Sequence, residues 1–330
     1  MDFVSVPDSG GFVVIDLPDA PVATGVVRWA RKILRDGASS LARSLTYSYA
    51  SLGMQVSGAS AGVSAAPAQR DESVAAFVAN LPEALGGRRV LLDAAKGINE
   101  DDLAPLRAAD DRSSLYLDAA VTDALATAGV LAAADWANRG LDGARVTIDA
   151  ATPATALLAR GATAAGARVV ALGNRAAPDG LTSADLDAIA AGDGVQAPGG
   201  EVADALAVDA DVALVGAKTG AVDHRRMELV AAPEVVPYGR LAVTTRALAV
   251  AARANRRVLP DFVSTAGPLL AQWPAEDATR DSLLVDAGAR VTAALDAVPD
   301  TPNGIVLDAC LAAEEFLSTW CDELPFGRPI

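Results

Sequence analysis

Val146 to Asn174 is the stretch whose residue types and spacing come nearest to a chemistry. The apolar strand Val146-Thr147-Ile148 enters the turn Asp149-Ala150-Ala151-Thr152-Pro153-Ala154-Thr155. A helix then runs to Gly166, and Arg168 to Leu172 forms a second strand. A strand–turn–helix unit of this kind aims the first amides of its helix at a phosphate. Holding a dinucleotide there takes the pattern GxGxxG, for a tight turn, close approach of backbone to pyrophosphate, and close packing of helix on strand. The three glycine positions are occupied here by Ala150, Thr152 and Thr155. Thr152 and Thr155 add β-branched bulk where the pyrophosphate would approach, while Pro153 is compatible with a helix start. The acidic residue that would hold ribose hydroxyls at the end of the second strand is Asn174, which has no charge to discriminate between cofactors. The segment therefore reads as a sound structural turn and a poor phosphate site.

Other candidate groups are sparse. His224, the single histidine, lies in Asp223-His224-Arg225-Arg226 at a helix start, with no Cys or His at metal-site spacing. No metal is expected, and Asp223 is expected to cap the helix with His224 exposed. Ser60 sits in Gly58-Ala59-Ser60-Ala61-Gly62, which superficially resembles a nucleophile segment, but no base partner and no GxSxG elbow accompany it. A small-residue turn is the simpler reading. The Gly-rich stretch Ala191 to Gly200 does not link a strand to a helix and reads as a surface loop.

The elements that must position these residues are legible from periodicity. Phe12 to Leu17 is a β-branched run, and Ala38 to Tyr49 and Asp71 to Leu81 have helical spacing. Arg89 to Leu92 is a short strand, Glu100 to Ala108 a helix capped at Asn99, and Asp118 to Ala137 a long Ala-rich helix. The polar turn Asn138 to Gly143 follows, and is the best boundary in the sequence. Beyond it Val146 to Ile148, Arg168 to Leu172, Val212 to Val215, Glu234 to Val236 and Arg257 to Leu259 alternate with helices or loops. That order predicts a doubly wound parallel sheet. Two amphipathic helices, Asp281 to Ala297 and Ile305 to Trp320, flank the proline-containing turn Pro299 to Pro302 and are expected to pack back across the boundary.

A chain of 330 residues is long enough for two such cores. Its net charge of −15 comes mainly from Asp, and Lys32, Lys96 and Lys218 are its only lysines. A carboxylate-rich, lysine-poor surface suits a salt-rich cytoplasm, where salt screens the self-repulsion, and it disfavours nucleic acid or anionic lipid as partners. Cys310 and Cys321 lie eleven positions apart on one helix, roughly 16 Å along its axis and too far to bridge, so reduced thiols are expected. No basic-then-apolar leader begins the sequence and no run of about eighteen apolar residues occurs, so a cytoplasmic protein is expected.

Five separated segments, in order, resemble the glutamate/leucine/phenylalanine/valine dehydrogenase family over nearly the whole chain. Pro21-Val22-Ala23-Thr24-Gly25-Val26-Val27-Arg28 is similar to its GPxxGGxR, Leu45-Thr46-Tyr47-Ser48-Tyr49-Ala50 to MTYKxA, and Ser57-Gly58-Ala59-Ser60-Ala61-Gly62-Val63 to GGAKGGI. Ala95-Lys96-Gly97-Ile98-Asn99-Glu100-Asp101-Asp102-Leu103 can be laid on DVGTxxEDM, and Pro260-Asp261-Phe262-Val263-Ser264-Thr265-Ala266-Gly267 resembles PDxLANAG. The resemblance implies an α/β fold: residues 1–137 as the substrate and dimerisation domain, and 144–330 as a Rossmann-like domain with C-terminal helices. It also implies oxidative deamination of an amino acid by hydride transfer to NAD or NADP, in a homo-oligomer.

Three charged groups carry that reaction in the family. One lysine holds the substrate carboxylate, a second activates water and polarises the imine, and an aspartate shuttles protons. The corresponding positions here are Ser48, Ser60 and Ala95. A serine offers a neutral hydrogen bond in place of a charge-assisted one and is no base at neutral pH, so the family mechanism cannot run as written. Tyr238-Gly239-Arg240-Leu241 also stands where EGAN would be, and Thr265 replaces the asparagine of NAG. The expectation is a pseudoenzyme with a regulatory or structural role, without a cofactor, in homo-oligomers or in hetero-oligomers with an active dehydrogenase paralogue. Two alternatives stand beside it: an altered NAD(P)-linked oxidoreductase that recruits Arg28 or Lys96, and a non-catalytic small-molecule sensor. Arg28 has the fork to grip a carboxylate, although a surface ion pair is the commoner use of such a residue. Lys96 neighbours the lost aspartate, although sequence neighbours usually point apart and a solvated loop lysine is the base-rate outcome.

Overall fold

The computed structural model describes residues 1–192, 202–299, 301–324 and 326–330. Most of the Gly-rich stretch expected as a surface loop, and residue 300 of the expected turn at 299–302, lie outside them. The chain divides into two compact units, one of Met1–Asp111 with Cys310–Pro329 and one of Arg112–Ala309.

The first unit opens with strands β1 (Asp2–Val6), β2 (Gly11–Ile15) and β3 (Ala23–Ala30), then helix α1 (Arg35–Ser51) and β4 (Ser57–Ser64). Helix α2 (Arg70–Leu85), β5 (Val90–Ala94) and α3 (Glu100–Arg107) follow. The sheet order is β1-β2-β4-β3-β5, antiparallel on the β1 and β2 side and parallel between β4, β3 and β5. Val13, Ile15, Val27, Ala59, Ala61 and Val63 form one face, against Val74, Phe77, Val78 and Leu81 of α2. The opposite face meets α1, where Phe12 and Val14 pack on Ala38 and Ala42. Gly58 belongs to this second face. A Cβ there would lie 1.9 Å from the Ala42 carbonyl oxygen, and the Gly58 N–H donates to Thr46 Oγ1 at 2.9 Å. The small-residue run around Ser60 is therefore a buried central strand and not a turn. Its glycines let a helix backbone touch a strand backbone, which erases the usual strand signature of β-branched residues.

The second unit starts with the short α4 (Ser114–Leu117) and the long α5 (Ala119–Asn138). There follow β6 (Arg145–Ile148), α6 (Pro153–Ala164), β7 (Arg168–Leu172), β8 (Arg175–Ala176), α7 (Ser183–Ala190) and β9 (Val212–Val215). Helix α8 (His224–Leu229), β10 (Glu234–Pro237), α9 (Thr245–Arg253), β11 (Arg257–Val258) and α10 (Asp261–Ser264) complete the sheet region. Helices α11 (Arg280–Asp296) and α12 (Ile305–Leu317) come last. The sheet order is β11-β10-β9-β6-β7-β8, so the winding reverses between β6 and β9 as in a doubly wound Rossmann-like sheet. β6, β7, β9, β10 and β11 pair in parallel, as expected. β8 pairs antiparallel with β7, because Gly173, at φ +63°, and Asn174 turn the chain straight back in a two-residue hairpin.

The turn Asn138 to Gly143, expected as the boundary, lies inside the second unit, and the division falls at Asp111/Arg112 instead. The reason is packing. Val121 and Leu125 of α5 share a core with Ala271, Leu283 and Ala287, so α5 cannot be separated from α11. From Cys310 onward α12 and the following tail belong to the first unit. There Tyr47 donates to Glu314 at 2.9 Å, Arg328 pairs with Glu314 at 2.6 Å, and Arg43, in a buried ion pair with Asp16, donates to the carbonyls of Phe326 and Gly327. Cys310 and Cys321 form no disulfide among the described residues. Asp223 caps α8 by accepting from Arg225 and Arg226 N–H, but His224 is half-buried, not exposed.

Candidate functional site

In the first unit the structure brings Arg28, Ser60 and Ala95 onto neighbouring strands. β3 and β4 run parallel with Val26 opposite Ser60 and Arg28 opposite Gly62, so Arg28 and Ser60 share a face. The Arg28 guanidinium Nη2 donates to Ser60 Oγ at 3.3 Å. On the other side of β3, Val27 O accepts from Ala95 N–H, and Trp29 N–H donates to Lys96 O, which lays Ala95 alongside Arg28. Arg28 is half-buried, its Nε has no hydrogen-bond partner, and no ion pair to it occurs among the described residues. The surface ion pair usual for such an arginine is not formed among the described residues; Asp93, on the same face opposite Val26, lies 3.8 Å from Arg107. Burial pulls its pKa below the ordinary arginine value. Lys96 is exposed, and only its backbone takes part in the strand pairing. Ser48 is fully buried on α1, its hydroxyl bonded back to the Ser44 carbonyl at 3.2 Å.

In the second unit the turn after β6 is closed upon itself. Thr152 is the N-cap of α6. Its Oγ1 accepts from Thr155 N–H at 3.2 Å, and Thr155 Oγ1 accepts from Thr152 N–H at 2.8 Å. Pro153, at the first helical position, has no N–H to offer. Ala150 is half-buried beside this box. Asn174 is exposed in the β7–β8 hairpin, where its carbonyl accepts from Val202 N–H at 2.9 Å. Two amides of this turn, those of Thr152 and Thr155, are thus taken by the hydroxyls of the two threonines.

A cluster that the sequence reading did not single out occupies the place where the winding reverses, the usual ligand position of such sheets. Asp149 follows β6 directly, and its side chain is fully buried. Its Oδ2 accepts from Gly216 N–H at 3.2 Å and Ala217 N–H at 3.3 Å, just beyond β9. Tyr238, just beyond β10, donates its hydroxyl to Oδ1. Arg226 of α8 reaches Oδ2 at 3.5 Å and the Asp149 carbonyl at 3.3 Å, while its other edge grips Asp204 at 2.6 and 2.9 Å. Burial and the adjoining Asp149 carboxylate push the Tyr238 pKa well up, and Asp204 raises that of Arg226. Phenol and guanidinium therefore both stay protonated as donors. An aspartate one residue after a strand in an open α/β sheet was the available signal, but its partners are 67 to 89 positions away and no local pattern links them.

Two features thus define the molecule: a Rossmann-like second unit whose strand-end crevice holds its own carboxylate, and a first unit with neutral residues at the expected lysine positions. No protein-family model matches the sequence, and no curated protein matches it. Solved structures do. The hetero-hexameric glutamate dehydrogenase of Thermus thermophilus, in its leucine-bound form, aligns at 22% identity over 93% of this chain and 83% of that one, with a TM-score of 0.73. Glutamate dehydrogenase of Plasmodium falciparum aligns at 13% identity over 97% and 83%, with a TM-score of 0.72. L-tryptophan dehydrogenase of Nostoc punctiforme aligns at 16% identity over 97% and 95%, with a TM-score of 0.69. The chain has the fold of the amino-acid dehydrogenases. Among the described residues no helix is long and apolar enough to cross a membrane, and no group of acidic, His or Cys side chains is placed to hold a metal.

Proposed function

We propose that this protein is a catalytically silent relative of the amino-acid dehydrogenases, which keeps their fold for a regulatory or structural role. The observation that carries the reading is the closed strand-end crevice: Asp149 takes the Gly216 and Ala217 amides, and Thr152 and Thr155 take each other's. With Ser48, Ser60 and Ala95 in place of charged groups, neither cofactor grip nor proton transfer has its usual agents. The role would be played in homo-oligomers, or in hetero-oligomers with an active dehydrogenase; the hetero-hexameric assembly of the Thermus thermophilus protein offers a precedent for mixed subunits. The acidic, lysine-poor composition favours a salt-rich cytoplasm as its setting.

Calorimetry with NAD⁺ and NADP⁺ in molar salt tests this directly. No saturable heat is expected, and neither is turnover of amino acids or 2-oxo acids. Tight cofactor binding by the unmodified protein would return it to the oxidoreductases. Co-purification with an active dehydrogenase is the expected sign of the hetero-oligomeric role. A second reading, a small-molecule sensor, is favoured by Arg28: a half-buried guanidinium with an unpartnered Nε is a receptor short of an anion. Saturable heat with carboxylates, without change at the reduced nicotinamide absorbance, would mark that function.

A further inference from the structure

Helices α5 and α6 cross tightly at one point and then diverge. At the crossing, a Cβ on Gly161 would lie 2.5 Å from Leu131 Cδ1 and 3.0 Å from Thr127 Cγ2. Towards the start of α6 the facing residues are Ala126 and Ala154, too small to fill the widening gap. A pocket of about 100 Å³ results, lined by Asp123, Ala126, Thr127 and Val130 of α5, Ala154, Leu157 and Leu158 of α6, and Tyr238. Its inner wall is hydrocarbon: Val130 and Leu158 are buried, and Leu157, though lining the pocket, is 44% exposed. Its charged lining residue is Asp123, one helical turn before Thr127. The Asp123 carboxylate is exposed and has no ion pair or hydrogen bond among the described residues. The Tyr238 hydroxyl is committed to Asp149.

The geometry points to a binding site for a small aliphatic primary amine, with its hydrocarbon against Val130 and Leu158 and its ammonium on Asp123. The size admits roughly four or five carbons, on the scale of a 150 Å³ apolar cavity that holds benzene. Charge selects the head group. An ammonium gains a charge-assisted bond to Asp123, whereas a carboxylate would be repelled by it. The start of α6 would ordinarily attract an anion, but Pro153 and the Thr152–Thr155 box leave few amides free to do so. The protein's net charge of −15 further raises the local concentration of cations. The site shares Tyr238 with the strand-end cluster but asks nothing of its hydroxyl, and it does not rest on the proposed silence of the chain.

The test titrates the full-length protein with 3-methylbutylamine, with 3-methylbutanoate and leucine as comparators, following the methyl resonances of Leu157 and Leu158. Saturable shifts with a Kd of about millimolar are expected for the amine, as befits so few contact atoms. Asp123→Asn should weaken it by roughly three- to tenfold. Ala126→Leu, or Ala154→Leu should the first disturb folding, should abolish it by filling the pocket. Binding of the acid as tight as the amine, unchanged affinity in either class of variant, or no shift at tens of millimolar amine would each overturn the proposal.

Discussion

The strand face of Arg28 in the first unit and the strand ends around Asp149 in the second are opposites. Arg28 has a charge, one 3.3 Å bond and a buried Nε without a partner. Asp149 has a charge and a full set of donors: two amides, a phenol and a guanidinium. Each is a buried or half-buried charge on a sheet, yet only one is satisfied from within. A satisfied charge holds its surroundings in place and leaves nothing for a ligand. An unsatisfied one weakens the fold slightly and is free to recruit. The same reversal of winding that makes a crevice in such sheets is filled here by the protein's own side chain.

Removing the satisfied charge should cost the most. Asp149→Ala strands the Tyr238 hydroxyl and two amides and leaves Arg226 to Asp204 alone, and is expected to destabilise the second unit by about 3–5 kcal/mol in denaturant unfolding. Gly58→Ala comes next. Its methyl would meet the Ala42 carbonyl with backbone on both sides, so a loss of about 1–3 kcal/mol or more is expected, again by chemical denaturation. Thr152→Ala removes one half of the α6 cap and should cost about 1 kcal/mol. The smallest effect, of opposite sign, is predicted for Arg28→Met. Relieving a half-buried charge that lacks a counter-ion should leave stability within about 1 kcal/mol of the parent, on the stabilising side. A large loss in that variant would collapse the contrast between the two regions, since it would reveal a partner for Arg28 in solution.

The acid limb of stability sharpens the comparison in another way, through a carboxylate of the first unit that is paired from within. Arg328 first, then Tyr47, holds the Glu314 carboxyl below its ordinary value of 4.5. A depressed folded pKa means stability present in full above the unfolded value and lost as pH falls through the folded one. Glu314→Gln should therefore be less stable than the parent near neutrality, with the gap closing as the medium is acidified below the ordinary glutamate value. A gap that persists unchanged into acid would show that the tail contact does not depend on the charge.

The parallel strands of the second unit could be read from the chain because each is a short apolar run between turn residues; Arg168 to Leu172 and Val212 to Val215 have the expected bounds. The cap at Asn99 was legible too, and Asp102 accepts the Asn99 N–H at 2.7 Å. β4 was not, because its Gly and Ser content answers the approach of α1 rather than any strand preference. The first-unit positions Arg28, Ser60 and Ala95 followed from motif order, and the structure places them side by side. The division at Asp111/Arg112 escaped sequence reading, since a polar turn marks where a chain bends and not which core its neighbours join.

By itself, then, the sequence determined the periodicities, the caps and the small or neutral residue types at positions 48, 60, 95, 150, 152 and 155, all of which are local in the chain. Only the tertiary structure decided that Arg28 has no counter-charge among the described residues and that Asp149 is saturated. Hydrogen-bond satisfaction is a property of neighbours in space, and the partners of Asp149 come from the ends of β9 and β10 and from α8, which only the folded sheet brings within bonding distance.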